Sequence, residues 1–92
     1  MVNNLKKWTL LFTKSAIKDA KKINSSGLIK NADQILNILE INPYQNPPPY
    51  EKLLGDLIGC YSRRINIQHR IVYEVDNKDR IITIHRMFTH YE

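Results

Sequence analysis

The sequence predicts an α+β fold in which a hairpin of two helices packs on an antiparallel sheet. One strand-like segment and two helix-like segments occupy the first half of the chain, and three further strand-like segments follow a proline-rich stretch. Strands joined by short connections are antiparallel, because a parallel pair needs a long crossover. With 92 residues, the chain is expected to form one domain over residues 1–92, since chains this short rarely build two cores.

The first half of the chain is predicted to hold one strand and two helices. Residues 8–12 (Trp-Thr-Leu-Leu-Phe) are rich in β-forming types and predict a strand. Thr13 suits the N-cap of a helix over residues 14–24, where apolar residues recur three and four positions apart. Residues 25–27 (Ser-Ser-Gly) end that helix, and the same spacing predicts a second one over residues 28–40. The short break makes the two helices an antiparallel hairpin.

The second half is predicted to form a three-stranded antiparallel meander. Residues 43–49 contain all four prolines and predict an extended connector within the domain, because proline disrupts helices and central strands. Alternating apolar and polar residues beyond it predict strands at residues 60–65, 69–75 and 80–88. These strands complete the sheet begun by the first strand.

Loop lengths predict which residues of these strands face each other. A three-residue loop at residues 66–68 places Arg64 directly opposite Arg70. A tight turn at residues 77–78 would place Arg70 opposite His85. The face that carries these three side chains is then polar, and the other face is apolar and can cover the helices. The polar face also contains Ser62, Val72 and Thr83.

Composition restricts the class of protein. The net charge is +5 with a pI near 9.5, and 42% of residues are apolar, which is typical of a globular basic protein rather than a disordered one. Cys60 is the only cysteine, so no disulfide forms within the chain. The apolar runs are too short for a membrane span, and no secretory signal is visible, so we expect a cytoplasmic protein.

Two arginines facing each other on one sheet face repel, and this arrangement has two interpretations. The side chains splay apart in water, or a bound phosphate relieves the repulsion by accepting hydrogen bonds from both guanidinium groups. On the second interpretation, the natural ligand is a nucleic-acid backbone. Tyr91 near the end of the chain is either a stacking platform for an unpaired base or only an anchor.

Other kinds of site are disfavoured by spacing. The three histidines lack a tight ligand pattern and Cys60 has no Cys-x-x-Cys partner, so neither a metal nor another cofactor is expected. No glycine-rich phosphate loop is present, and no nucleophile elbow surrounds Ser62.

RNA can nevertheless be cut without a metal. A base deprotonates the 2′-hydroxyl, cations stabilise the crowded phosphate and an acid protonates the departing 5′-oxygen. One set of residues that could do so is Glu51, Arg64, Arg70 and His90. Spacing alone does not distinguish this set from one that uses Glu74, His69 or His85.

Four short segments, in this order and at these separations, closely resemble the YoeB/Txe toxins of bacterial type II toxin–antitoxin modules. They are residues 51–53 (Glu-Lys-Leu), 59–65 (Gly-Cys-Tyr-Ser-Arg-Arg-Ile), 69–73 (His-Arg-Ile-Val-Tyr) and 90–91 (His-Tyr). Upstream, the predicted strand and helices agree with the family in order and length. The resemblance implies a RelE/ParE-like fold.

The resemblance also implies an activity, that of an endoribonuclease that cuts messenger RNA in the ribosomal A site and inhibits translation. By position, Glu51 would be the general base and His90 the general acid. Arg70 would stabilise the phosphate in the transition state. No metal takes part in this mechanism.

Three further residues are assigned to substrate binding on the same basis. Arg64 would support the phosphate and Tyr91 would orient or stack the RNA, and we add the neighbouring Arg63.

Several positions depart from the family pattern: Leu54 stands where a lysine is frequent, Cys60 where an aromatic residue is common and Tyr61 where tryptophan is frequent. Cys60 and Tyr61 are interpreted as packing substitutions. One extra residue, Glu92, follows the His-Tyr pair.

The resemblance further implies partners, namely a YefM/Phd-like antitoxin that folds over the active-site face, and the ribosome with its A-site messenger RNA. It leaves a homodimer open. Two alternatives remain at this point. One is a non-catalytic toxin of the ParE branch that inhibits DNA gyrase, and the other is a nucleic-acid-binding module without chemistry.

Overall fold

The computed structural model describes residues 7–89, in which two helices pack on one face of a five-stranded sheet. The strand order is β1-β5-β4-β3-β2, with β1 parallel to β5 and every other pair antiparallel. The predicted α+β class is confirmed. Among the described residues, neither helix has the length and apolar character that crossing a bilayer requires. The elements are β1 (Thr9–Phe12), α1 (Lys14–Ser26), α2 (Ile29–Ile41), β2 (Glu51–Lys52), β3 (Cys60–Arg64), β4 (Arg70–Asp76) and β5 (Ile81–Thr89).

The predicted helix hairpin is confirmed, and its ends follow from local chemistry. The Thr13 Oγ1 atom accepts a hydrogen bond from the Ala16 amide at 3.1 Å, as an N-cap does. The same hydroxyl donates to the backbone carbonyl of His85 at 3.0 Å, which ties the start of α1 to β5. Gly27 ends α1 in the left-handed conformation, with a φ of 80°, which a side chain would disfavour.

The hydrophobic core lies between the helices and the covered face of the sheet. Alternation along the strands sends one set of side chains to this covered face and leaves the other set on an open face. The predicted division is confirmed for the main core, because the strand residues predicted on the apolar face all belong to it or pack against it. The core includes Ala16, Ile23, Ala32 and Leu39 from the helices and Ile71, Tyr73, Ile82 and Ile84 from the sheet. The open face includes Cys60, Ser62, Arg64, Arg70, Val72, Glu74, Thr83 and His85.

The register of the last three strands was predicted in part. Arg64 does lie directly opposite Arg70. The predicted pairing of Arg70 with His85 is wrong, because Arg70 pairs with Thr89. The turn after β4 takes up residues 77–80 rather than two residues, and the register shifts again on either side of Val72. These bulges move β5 along β4.

The proline-rich connector ends in a strand that the sequence did not predict. β2 has only two residues and pairs antiparallel with β3, so that Glu51 lies opposite Ser62. So short a strand has no alternation to detect, and it exists because β3 offers an edge to pair with. This pairing puts the Glu51 carboxylate on the open face.

Arg63 holds the connector in place from inside the protein. Its side chain is 1% exposed, and its terminal nitrogens donate to the carbonyls of Pro43, Gln45 and Pro48 at 2.9, 2.8 and 2.5 Å. Its Nε atom donates to the Tyr73 hydroxyl at 3.1 Å. Connector carbonyls with no partner of their own in a helix or sheet are thereby satisfied.

Arg63 therefore does not bind substrate as predicted. Successive residues of a strand point to opposite faces, so Arg63 shares the covered face with Ile71, whereas Arg64 shares the open face with Arg70. Its guanidinium has no access to a ligand on the open face.

We predict that Arg63→Leu lowers the free energy of unfolding by about 3 kcal/mol or more, because several buried carbonyls lose charged donors. The matched control is Arg64→Leu, which changes an exposed neighbour and should cost no more than about 0.5 kcal/mol. Urea denaturation followed by circular dichroism measures both. Equal losses for the two variants would show that Arg63 does not hold the connector.

Tyr73 provides a pH-dependent prediction. Burial raises the pKa of its hydroxyl to about 12, although the charge of Arg63 opposes the shift. Between pH 10 and pH 12 the unfolded chain loses this proton while the folded chain retains it, so stability falls as pH rises. We expect the parent to lose about 2 kcal/mol more than Tyr73→Phe across this interval, since one pKa unit is about 1.4 kcal/mol and the titration is only partly complete at each end of the interval. Parallel pH profiles for the two proteins would contradict this.

Candidate functional site

A groove on the open face contains three of the residues that the sequence analysis favoured for chemistry, Glu51, Arg64 and Arg70. It has a volume of about 430 Å³ and lies where β2, β3 and β4 meet the end of the connector. Two prolines form its wall and four polar side chains form its floor. The lining residues are Pro48, Pro49, Glu51, Ser62, Arg64 and Arg70.

Arg70 is the more buried of the two cations in the groove. Its Nη1 atom forms an ion pair with the Glu51 carboxylate and donates to the Ser62 Oγ atom at 3.0 Å. The Arg70 side chain is 12% exposed, against 63% for Glu51. The guanidinium is therefore held by its surroundings, while the carboxylate stands in solvent.

Arg64 faces Arg70 across the β3–β4 pair and is exposed. Its Nη1 atom donates to the backbone carbonyl of Ile67 at 3.2 Å, in the loop between the two strands. Within residues 7–89 this is the one hydrogen bond of its guanidinium, so the group keeps donors for a ligand. The two guanidinium groups converge on one groove, as the register predicted.

The groove combines a carboxylate with two cations. In the described structure the Glu51 carboxylate forms an ion pair with the Arg70 guanidinium. A phosphate accepts the same kind of charged hydrogen bonds from a guanidinium. A phosphate that enters would compete for Arg70 and release the carboxylate next to it. A released carboxylate can accept a proton, and two guanidinium groups can stabilise a phosphate that gains charge.

The structure thus brings Glu51, Arg64 and Arg70 together and places Arg63 elsewhere. His90 and Tyr91 lie outside the described residues. Leu54, which stands where the family often has a lysine, is 81% exposed.

Sequence reasoning missed a second cluster on the open face, made of Cys60, Glu74 and His85. The His85 Nε2 atom lies 2.9 Å from a Glu74 oxygen. Burial raises the pKa of the Cys60 thiol, and the nearby charge of Glu74 raises it further. The cluster spans three strands, so only the correct β4–β5 register could have revealed it.

Comparison with protein families shows that residues 12–91 match the model described as a YoeB-like toxin of bacterial type II toxin–antitoxin systems. Among curated proteins, toxin YoeB of Synechocystis sp. is 32% identical over 69 residues, which are 75% of this chain and 78% of that protein.

Solved structures give the same result for the fold. The YoeB/ParE toxin from Agrobacterium tumefaciens is 25% identical, with a TM-score of 0.81 over 90% of this chain and 99% of its own. The YoeB–YefM complex from Staphylococcus aureus contains a chain that is 32% identical, with a TM-score of 0.74 over 91% of this chain and 98% of its own. The Staphylococcus aureus protein is also known as a dimer.

The competition between Glu51 and a phosphate for Arg70 can be measured as affinity for an RNA analogue that lacks the 2′-hydroxyl. We predict that Glu51→Gln binds a short 2′-O-methyl oligonucleotide about two- to fivefold more tightly than the parent, since an exposed ion pair is worth up to about 1 kcal/mol. Arg70→Ala should bind it more weakly than the parent. Fluorescence anisotropy at fixed salt concentration measures both.

The matched control is Asp33→Asn, which removes one negative charge from α2, on the other side of the sheet. It should leave the affinity near that of the parent. If Asp33→Asn tightens binding as much as Glu51→Gln, the gain comes from net charge and not from release of Arg70.

Proposed function

The chain belongs to the YoeB-like toxins of bacterial type II toxin–antitoxin systems, and we propose on that basis that it is a ribosome-dependent endoribonuclease. It would cleave messenger RNA in the ribosomal A site, without a metal, and so inhibit translation. The observation that carries the proposal is the contact between the Glu51 carboxylate and the Arg70 guanidinium, in a groove with a second arginine. A gyrase inhibitor or a passive nucleic-acid binder has no need of a base held against a phosphate-binding cation.

The proposed reaction starts when the scissile phosphate binds between Arg64 and Arg70. The phosphate replaces Glu51 as the hydrogen-bond acceptor of Arg70. The released Glu51 carboxylate then accepts the proton of the 2′-hydroxyl. The 2′-oxygen then forms a bond to phosphorus as the bond to the 5′-oxygen breaks. The products are a 2′,3′-cyclic phosphate and a new 5′-hydroxyl.

Arg70 is suited to the crowded intermediate because it needs little reorganisation. The hydrogen bond to Ser62 and the low exposure of the side chain fix the guanidinium before the substrate arrives. A cation that is already in position stabilises developing charge better than one that must be ordered during the reaction. The exposed Arg64 acts as the second contact.

His90 is the proposed acid that protonates the leaving 5′-oxygen, and Tyr91 the residue that orients the RNA. These roles come from the family pattern. Thr89, the residue before His90 in the sequence, pairs with Arg70.

We further propose a YefM/Phd-like antitoxin as the neutralising partner, on the strength of the YoeB–YefM complex from Staphylococcus aureus. The net charge of +5 suits an acidic segment as well as RNA. Large apolar side chains are exposed at Leu54, Ile58 and Ile67, with exposures of 81%, 77% and 86%. They offer such a segment apolar contacts. A homodimer is proposed on the solved dimer of the same relative.

The test is cleavage of messenger RNA on programmed ribosomes. We expect cuts in the A-site codon with cyclic-phosphate ends, and we expect Arg70→Ala or His90→Ala to reduce the rate by about 10²- to 10⁴-fold. Growth arrest on induction should be lost in parallel. Circular dichroism should show that both variants stay folded.

Lys78→Ala is the matched control, because it removes one positive charge from an exposed turn far from the groove. It should cut as fast as the parent. Full activity of Arg70→Ala or His90→Ala would refute the assigned mechanism. Inhibition of gyrase supercoiling with no RNA product would refute the proposed function altogether.

A further inference from the structure

Cys60, Glu74 and His85 form a compact set of donor atoms beside the groove. One ligand atom from each side chain lies within 4.8 Å of the other two. None of the three lines the groove that contains Glu51 and Arg70. The proposed RNA cleavage therefore leaves this cluster without a role.

The sheet register holds the three side chains together. Cys60 in β3 lies directly opposite Glu74 in β4, and Glu74 lies opposite Thr83 in β5. His85 is two residues beyond Thr83 and so shares its face. Donors mounted on three adjoining strands keep their spacing without help from a flexible loop.

We propose that Cys60, Glu74 and His85 bind a zinc ion. A thiolate, an imidazole and a carboxylate are the donors that zinc uses in proteins, whereas magnesium and calcium prefer oxygen donors alone. Zinc bonds of about 2.0 to 2.3 Å put tetrahedral ligand atoms about 3.5 Å apart. Modest side-chain rotation achieves this from the observed spacing. The Cys60 thiol proton is released to solvent when the sulfur binds the metal.

The surroundings leave room for the fourth zinc ligand. The three donors line a cavity of about 480 Å³, and Asp56 lines it too. The cavity has room for a water molecule that binds the metal. Arg86 lines the same cavity and would repel a cation. Its charge is balanced, because its Nε atom donates to the buried Asp19 carboxylate at 2.8 Å.

Zinc at this position would cross-link β3, β4 and β5. A ligand that binds the folded chain and not the unfolded one raises the midpoint of thermal unfolding. The site is thus a stabilising element that is separate from the RNA chemistry. Its tests read out binding and spectra, so they can fail or succeed whatever the RNA-cleavage assay shows.

The first test is a zinc titration of the full chain, without an affinity tag and with the thiol kept reduced by a phosphine. Competition with a chromophoric chelator gives the stoichiometry and the affinity. We expect one zinc ion per chain. Each of three single substitutions should weaken binding by roughly tenfold or more: Cys60→Ser, Glu74→Gln and His85→Gln. Loss of a ligand costs at least as much affinity as loss of a residue that only hydrogen-bonds to a ligand.

The second test replaces zinc with cobalt(II), whose absorption spectrum depends on the ligands that bind it. We expect a thiolate-to-cobalt charge-transfer band in the near ultraviolet for the parent and for the charge control Asp33→Asn. The band should be absent in Cys60→Ser. His85 is half-buried, so His85→Gln should fold even if a change at the buried Cys60 does not.

Three results would overturn the proposal. The parent chain fails to bind zinc, or Cys60→Ser and His85→Gln bind it as tightly as the parent while folded, or the cobalt complex lacks the thiolate band. A zinc-dependent rise in the thermal midpoint that is lost in His85→Gln would support it.

Discussion

The buried guanidinium of Arg63 holds the proline-rich connector against the sheet, and the geometry of the groove depends on that attachment. A segment rich in proline has few amide donors and cannot join a sheet over its length. Arg63 supplies the missing donors from the covered face of the sheet, by donating to the carbonyls of Pro43, Gln45 and Pro48. The connector then delivers Glu51 to the edge of β3, where its carboxylate contacts Arg70. A structural arginine in the core thus fixes a carboxylate on the surface.

Local rules were enough to predict some contacts and not others. The pairing of Arg64 with Arg70 could be predicted because a three-residue loop leaves one register. The register of β5 could not, since bulges are set by packing on both strands and leave little trace in a single sequence. The burial of Arg63 contradicts the usual exposure of arginine. Its position between Ser62 and Arg64, which both face the groove, was the available clue.

The shifted register of β5 separates two kinds of chemistry on one face of the sheet. It moves His85 away from Arg70 and next to Glu74 and Cys60, and it brings Thr89 to Arg70 instead. Val72 packs with Leu53 and Cys60 in a small apolar cluster between these regions. The cationic groove and the thiol-containing cluster therefore share a rigid support but not their side chains.

The parallel pairing of β1 with β5 joins two strands from opposite ends of the chain, since Thr9 pairs with Ile81. Contacts between residues so distant in sequence form late, because closing a long loop costs entropy before it yields any packing. During synthesis, α1 has to wait for β5, the strand on which it packs, to leave the ribosome. A nascent copy consequently lacks its finished sheet, and the strand that supports α1, until β5 has left the ribosome.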